Sequence, residues 1–450
     1  MKILKLFLAA AILSPSVALA DKSSAPPIPR IRFLDTTLSN GLRVLISEDR
    51  FAPIFSIALT FAAGSANEEP GKTGSAHLLE RLMYEGSERV GSGEYRYRML
   101  FDGIASGSST TPDYTQFGAT LPMDRLELAL FLESDRMRSL VISEKGLEAQ
   151  RAAILDELAR AESQPYGRTP WTLFKLAYGN FAYGHSLLGT PEDLQRTTVA
   201  ELEKFYRTGY APNRAVLSLV GNLSAADALS RVRAWFGGIQ PQPQLQSPDP
   251  PPARDEREQR DTIKDSNARE TRIDIAYKIP AVNTNDGQTM AILHLLLADD
   301  DTSRLRRRLM IEEKLASAMS GRIRSQRRMS LYHLTITLQP GKSPEQVEAL
   351  IENEIERLGR GTITPEELDR AKFAARRQAV AVRERSLSRA LLLGQYAALY
   401  KDPKLINASI ESLMSVKAND VKQVAIRYLT PANRTVLRTI PADPSRHSGK

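Results

Sequence analysis

One string of residues recurs in this chain and limits its fold more than any other feature. Glu203-Lys-Phe-Tyr-Arg-Thr-Gly-Tyr-Ala-Pro-Asn-Arg-Ala-Val-Leu217 has a counterpart in Val421-Lys-Gln-Val-Ala-Ile-Arg-Tyr-Leu-Thr-Pro-Ala-Asn-Arg-Thr-Val-Leu437. Both run from helix to tyrosine, proline, Asn-Arg and a Val-Leu strand, an order that points to a duplicated domain. Between the copies, Gln240-Pro-Gln-Pro-Gln-Leu-Gln-Ser-Pro-Asp-Pro-Pro-Pro252 and the charged run to Asp261 have almost nothing apolar to bury. They read as an extended linker with polyproline character. The expected organisation is therefore a lobe at 30–237, a linker at 238–268 and a second lobe at 269–443.

Patterning within the lobes supports this. Arg43 to Ile46 and Ile54 to Ala62 read as strands, Leu126 to Leu140 and Ser143 to Ala161 as helices, and Thr271 to Ile279 as a strand of period two. Pro365 to Tyr400 reads as one long helix, with Phe373, Val382 and Leu391 to Leu393 forming the inner face of the second lobe.

Residues 1–20 read as a secretory leader: Lys2 and Lys5, an apolar run from Leu6 to Leu13, and Ala18-Leu19-Ala20 as a cleavage site before Asp21. An exported, most plainly periplasmic, chain is expected, with no transmembrane segment after the leader. The chain has no cysteine, which excludes disulfides, thiolate ligands and a cysteine nucleophile. Its net charge of +8 comes mostly from arginines scattered through helices, and export argues against a nucleic-acid partner. The densest basic run, Arg304 and Arg306 to Arg308, reads as a solvated or partner-facing surface.

Chemistry concentrates in Gly71-Lys-Thr-Gly-Ser-Ala-His-Leu-Leu-Glu-Arg-Leu-Met-Tyr-Glu-Gly86. Leu78, Leu79, Leu82 and Met83 make an apolar face, and His77, Glu80 and Arg81 fall at i, i+3 and i+4 on another, so these three side chains converge. In H-x-x-E-H two histidines one helical turn apart grip zinc and the glutamate takes the proton of the metal-bound water. Here Arg81 stands at the second histidine position. A guanidinium is permanently charged, only donates, and has no lone pair for a metal.

With Asn40-Gly41-Leu42, Gly64-Ser65, Gly74-x-Ala76-His77-x-x-Glu80, Gly86, the Glu157 helix, Pro212-Asn213, Ser303-Arg304-Leu305 and Arg370-Ala371-Lys372, the chain resembles the pitrilysin/insulinase (M16) family of zinc peptidases, in its bacterial two-domain form similar to mitochondrial processing peptidase. The resemblance implies an α+β fold of two duplicated lobes, each a mainly antiparallel sheet packed with helices. It implies His77 and Glu157 as metal ligands and Glu80 as general base, with Arg81 at the missing ligand position. A second acidic position before the third ligand falls on Gln150, and a substrate-gripping asparagine on Gly107. Positions for a substrate-holding arginine and tyrosine fall on Met310 and Ser317. Gly107, Ser108 and His185 are the substrate-binding candidates.

These departures imply a non-catalytic or weakly catalytic subunit that holds extended peptide or unfolded polypeptide beside an M16 partner with an intact zinc motif. The cofactor is zinc if the chain is active, and otherwise none or weakly bound zinc. Two alternatives stay open: an active zinc metalloendopeptidase, and a structural assembly protein. Geometrically, Arg81 is expected within hydrogen-bonding distance of Glu157 or Glu80, a fixed cation where the metal would lie.

Overall fold

The computed structural model describes residues 28–103, 105–243 and 257–442. The expected leader lies outside the described residues. Six strands form the first sheet: β1 (Leu34–Thr37), β2 (Arg43–Glu48), β3 (Ile54–Phe61), β4 (Ala105–Thr110), β5 (Thr115–Pro122) and β6 (Ala215–Gly221), in the order β1-β2-β6-β3-β5-β4. The second contains β7 (Gln259–Asp265), β8 (Arg272–Ile279), β9 (Ala316–Arg324), β10 (Ser330–Leu338) and β11 (Arg434–Pro441), in the order β7-β11-β8-β10-β9.

With β1 set aside, the two orders coincide. In each lobe the last strand inserts between the first two, parallel to one and antiparallel to the other. The Val-Leu strings that revealed the repeat are those inserted strands, so each is held on both sides. All other strand pairs are antiparallel.

Each lobe has its own apolar core. Phe55, Leu59, Leu78, Leu82, Leu130 and Leu217 anchor the first, and Ile273, Ile292, Leu309, Ile336, Ile351 and Val436 the second. The opposite face of each sheet is covered by a helix from the other lobe. Helix Thr169–Tyr178 brings Leu173 and Ala177 against Ala276 and Leu437 of the second sheet. Helix Ser386–Tyr400 brings Ala390, Leu393 and Ala397 against Leu45, Ala58 and Val216 of the first. Gly394 permits this approach: a Cβ there would lie 2.3 Å from Thr60 Oγ1. Gln116 adds a side-chain hydrogen bond to Leu391 O (2.8 Å).

Two expectations are corrected. The helix expected over Pro365 to Tyr400 is two, Pro365–Glu384 and Ser386–Tyr400, because Arg385 is extended (φ −91°, ψ 125°) and turns the chain toward the other lobe. Its leucines face the first sheet, and Phe373 is 63% exposed. Residues 259–265, placed in the linker for their charge, form β7, an edge strand pairing in parallel with β11. An edge strand can expose alternate side chains to water, so apolar content is a poor signal for it.

The dense arginine run is neutralised locally. Arg304 pairs with Glu367, Arg306 with Asp301, Arg307 with Glu312, and Arg308 with Glu312 and Glu313. Among the described residues no helix is long and apolar enough to cross a membrane.

Candidate functional site

The central helix is Ser75–Leu82. Its N-cap position is glycine, with no side chain to satisfy the first N–H groups, and Gly74 adopts φ 91° where a Cβ would lie 2.8 Å from Leu188 O. The cap comes from the preceding loop: Glu68 accepts hydrogen bonds from Gly74 N (3.0 Å) and Ala76 N (2.8 Å). Burial pushes the Glu68 carboxyl up to about 8, against those two N–H groups, which hold it down. A carboxylate six residues before the N-cap is invisible to local capping rules, and sequence reasoning missed it.

His77, Glu80 and Arg81 converge as their spacing requires. His77 Nδ1 lies 3.2 Å from Glu80 Oε2, and its Nε2 is buried without a hydrogen-bond partner, 3.8 Å from Glu157 Oε2. Burial pushes the Glu80 carboxyl up, but His77, Thr110 and Ser108 hydrogen-bond it and together hold it below its ordinary range. Ser108 is thus joined to Glu80, the residue the resemblance implies as general base. Gly107 is exposed on β4, and a Cβ there would meet nothing within 4 Å. His185 lies instead against the capping carboxylate, with Nδ1 3.7 Å from Glu68 Oε2 and 3.2 Å from Ser186 O.

Arg81 donates from Nε to Gln150 Oε1 at 2.7 Å, and Gln150 passes its own amide hydrogen to Glu85 (2.7 Å). Its Nη1 is 3.5 Å from Glu157 Oε2. The expected contact with Glu157 is present at the limit of hydrogen-bonding distance. The shortest partner is the neutral amide, standing where the resemblance implied an acid. With Glu157 42% exposed, the ion pair contributes at most about 1 kcal/mol. Arg81 therefore fills the position where the resemblance implies a ligand more than it neutralises it.

A zinc ion needs at least three protein donors as a rule. Only His77 Nε2 and Glu157 are available here, and a guanidinium 3.5 Å from Glu157 competes for that carboxylate by charge. Among the described residues no three His, Cys, Asp or Glu side chains are arranged to hold a metal. These residues do not fit zinc.

Beneath the site, Arg136 is fully buried, ion-paired to Glu133 and boxed by the rings of Phe117, Tyr95 and Tyr84, 4.2, 4.6 and 5.6 Å from its guanidinium carbon. Tyr95 also donates to Glu133 (2.6 Å). On a helix read from its periodicity, nothing distinguished these two charges from surface residues.

Comparison with known proteins agrees with this architecture. The family described as Insulinase (Peptidase family M16) matches residues 43–191, and Peptidase M16 inactive domain matches 196–375. The zinc protease PqqE of Helicobacter pylori is 25% identical over 410 residues, 89% of this chain and 91% of its own length. The crystal structure of a protease from Helicobacter pylori aligns with TM-score 0.87 at 23% identity, covering 92% of this chain and all of that one. A peptidase M16 inactive domain from Pseudomonas fluorescens aligns with TM-score 0.83 at 19% identity, covering 92% and 98%. With its paired five-strand cores and both halves matched in order, the chain belongs to the M16 peptidase family.

Proposed function

We propose that this protein is an exported, non-catalytic M16 subunit that binds extended polypeptide beside a homologous partner carrying an intact zinc motif. The observation that carries the reading is Arg81, anchored on Gln150 and set against Glu157 at the position a second histidine would take. The general-base position is kept, yet Glu80 is engaged by His77 and two hydroxyls.

Peptide binding is supported by β4. It is an edge strand of the first sheet, pairs among the described residues only with β5, and reads Ala-Ser-Gly-Ser-Ser-Thr, without the lysine or proline that commonly blunts an edge. Such an edge accepts an extended chain through main-chain hydrogen bonds. The leader-like residues 1–20 support export.

One observation favours a second reading, a zinc endopeptidase: His77 Nε2 is buried and free toward Glu157. Titrating a labelled unfolded peptide into the isolated chain separates the readings. Saturable binding without cleavage in the presence of zinc is expected. Chelator-sensitive cleavage by the unmodified chain would refute the proposal, and an absence of peptide binding would favour the purely structural role.

A further inference from the structure

A cavity of about 320 Å³ lies in the second lobe between helices Asn285–Leu297, Pro365–Glu384, Ser386–Tyr400 and Leu405–Ser415. That volume falls at the lower end of small-molecule pockets, roughly 300–1,000 Å³. Its wall is largely apolar, with Leu295, Val382, Leu392 and Ile410 among the lining side chains. Arg383, two residues before the extended Arg385, is among its lining residues.

Gln288, Gln378, Ser409 and Tyr396 also line it, and two further polar residues, Arg383 and His294, each carry a buried nitrogen without a partner. Arg383 donates its terminal nitrogens to the carbonyls of Ala379 and Ile406, and its Nε is buried without an acceptor. No carboxylate pairs with it among the described residues. His294 Nδ1 is the other buried lining atom without a partner, its ring facing Asp299 through Nε2 at 3.7 Å. Burial lowers the pKa of both groups, which favours the neutral form of His294 and leaves Arg383 as the cation of the two. Arg383 is half-buried and its hydrogen-bond partners are neutral carbonyls, so its charge is left to attract an anion, and the surrounding wall favours hydrocarbon.

We infer that this cavity binds a small amphipathic monoanion of the medium-chain carboxylate type, its head beside the Arg383 guanidinium and its tail against Leu295, Val382 and Ile410. Charge complementarity selects the head, and volume restricts the tail. The inference stands apart from the reading of the Arg81 site and survives if that reading fails.

Calorimetric titration of the full chain with octanoate, butanoate and octan-1-ol tests it. Octanoate is expected to bind 1:1 and about tenfold tighter than octan-1-ol, the size of one charge-assisted hydrogen bond, with butanoate weaker than octanoate. Arg383→Gln is expected to erase the preference for octanoate over octan-1-ol. Gln378→Glu, which adds a negative charge at the exposed rim of the cavity, is expected to weaken octanoate severalfold and leave octan-1-ol unchanged. Ala291→Phe, which fills the space, is expected to abolish both while the variant still melts cooperatively. The inference is overturned if unmodified protein binds no octanoate, binds it no tighter than octan-1-ol, or if Gln378→Glu and Ala291→Phe bind octanoate as the parent does.

Discussion

The two lobes repeat one strand order yet use the helix after their second long strand in opposite ways. In the first lobe Ser75–Leu82 is short and carries His77, Glu80 and Arg81 on one face. In the second, Asn285–Leu297 runs Thr-Met-Ala-Ile-Leu-His-Leu-Leu-Leu and buries nearly all of it, with His294 among the residues that line an apolar cavity. Topology fixes where a helix sits over the sheet. The residues on it decide whether that place becomes a polar centre or a hydrophobic space.

The sharpest way to break the first lobe alone is through the charge beneath its polar centre. Arg136→Leu leaves Glu133 buried without its partner and is expected to cost about 3–5 kcal/mol in urea unfolding, the range for breaking a buried pair. A much smaller loss would mean that Tyr95 and water satisfy Glu133 unaided.

Next in size, the exchanged helices should make the lobes fail together. Leu393→Ala removes a fully buried side chain of the second lobe from the first lobe's sheet, with an expected cost of about 2–5 kcal/mol. Fluorescence and far-ultraviolet dichroism should still trace one coincident transition. Two separated transitions would show that the lobes are energetically independent.

A pH effect should separate the lobes further. The Glu68 carboxyl sits at about 8 in the fold and near 4.5 when unfolded. Between those values the native state keeps a proton that the unfolded state has released. Its contribution is therefore fully present below about pH 4.5 and is lost as pH rises through 8. Urea midpoints should fall from pH 5 to 8 in the parent and less steeply in Glu68→Gln. Identical slopes would contradict the assignment. The smallest effect is expected at Phe373, exposed on the helix expected to face inward: Phe373→Ser should change stability by no more than about 0.5 kcal/mol.

Much of this was legible in the sequence because the two Pro/Asn-Arg/Val-Leu strings are the inserted strands themselves, and because helical spacing alone brings His77, Glu80 and Arg81 together. Periodicity reported that Leu391 to Leu393 were buried, yet could not say against which sheet. That choice is made by the extended Arg385. The Glu68 cap and the Arg136–Glu133 pair stayed hidden for a related reason: both depend on contacts between segments, and neither leaves a local pattern. Gln150 was singled out as a lost acid, but its bond to Arg81 needed the packing of two helices to appear.

The central claim is that a guanidinium has taken a metal ligand's place. Calorimetric titration of zinc into the unmodified chain and into Arg81→His tests it most directly. The account predicts no saturable 1:1 binding by the unmodified chain and a 1:1 complex once the histidine is supplied. Tight stoichiometric binding by the unmodified chain would contradict it.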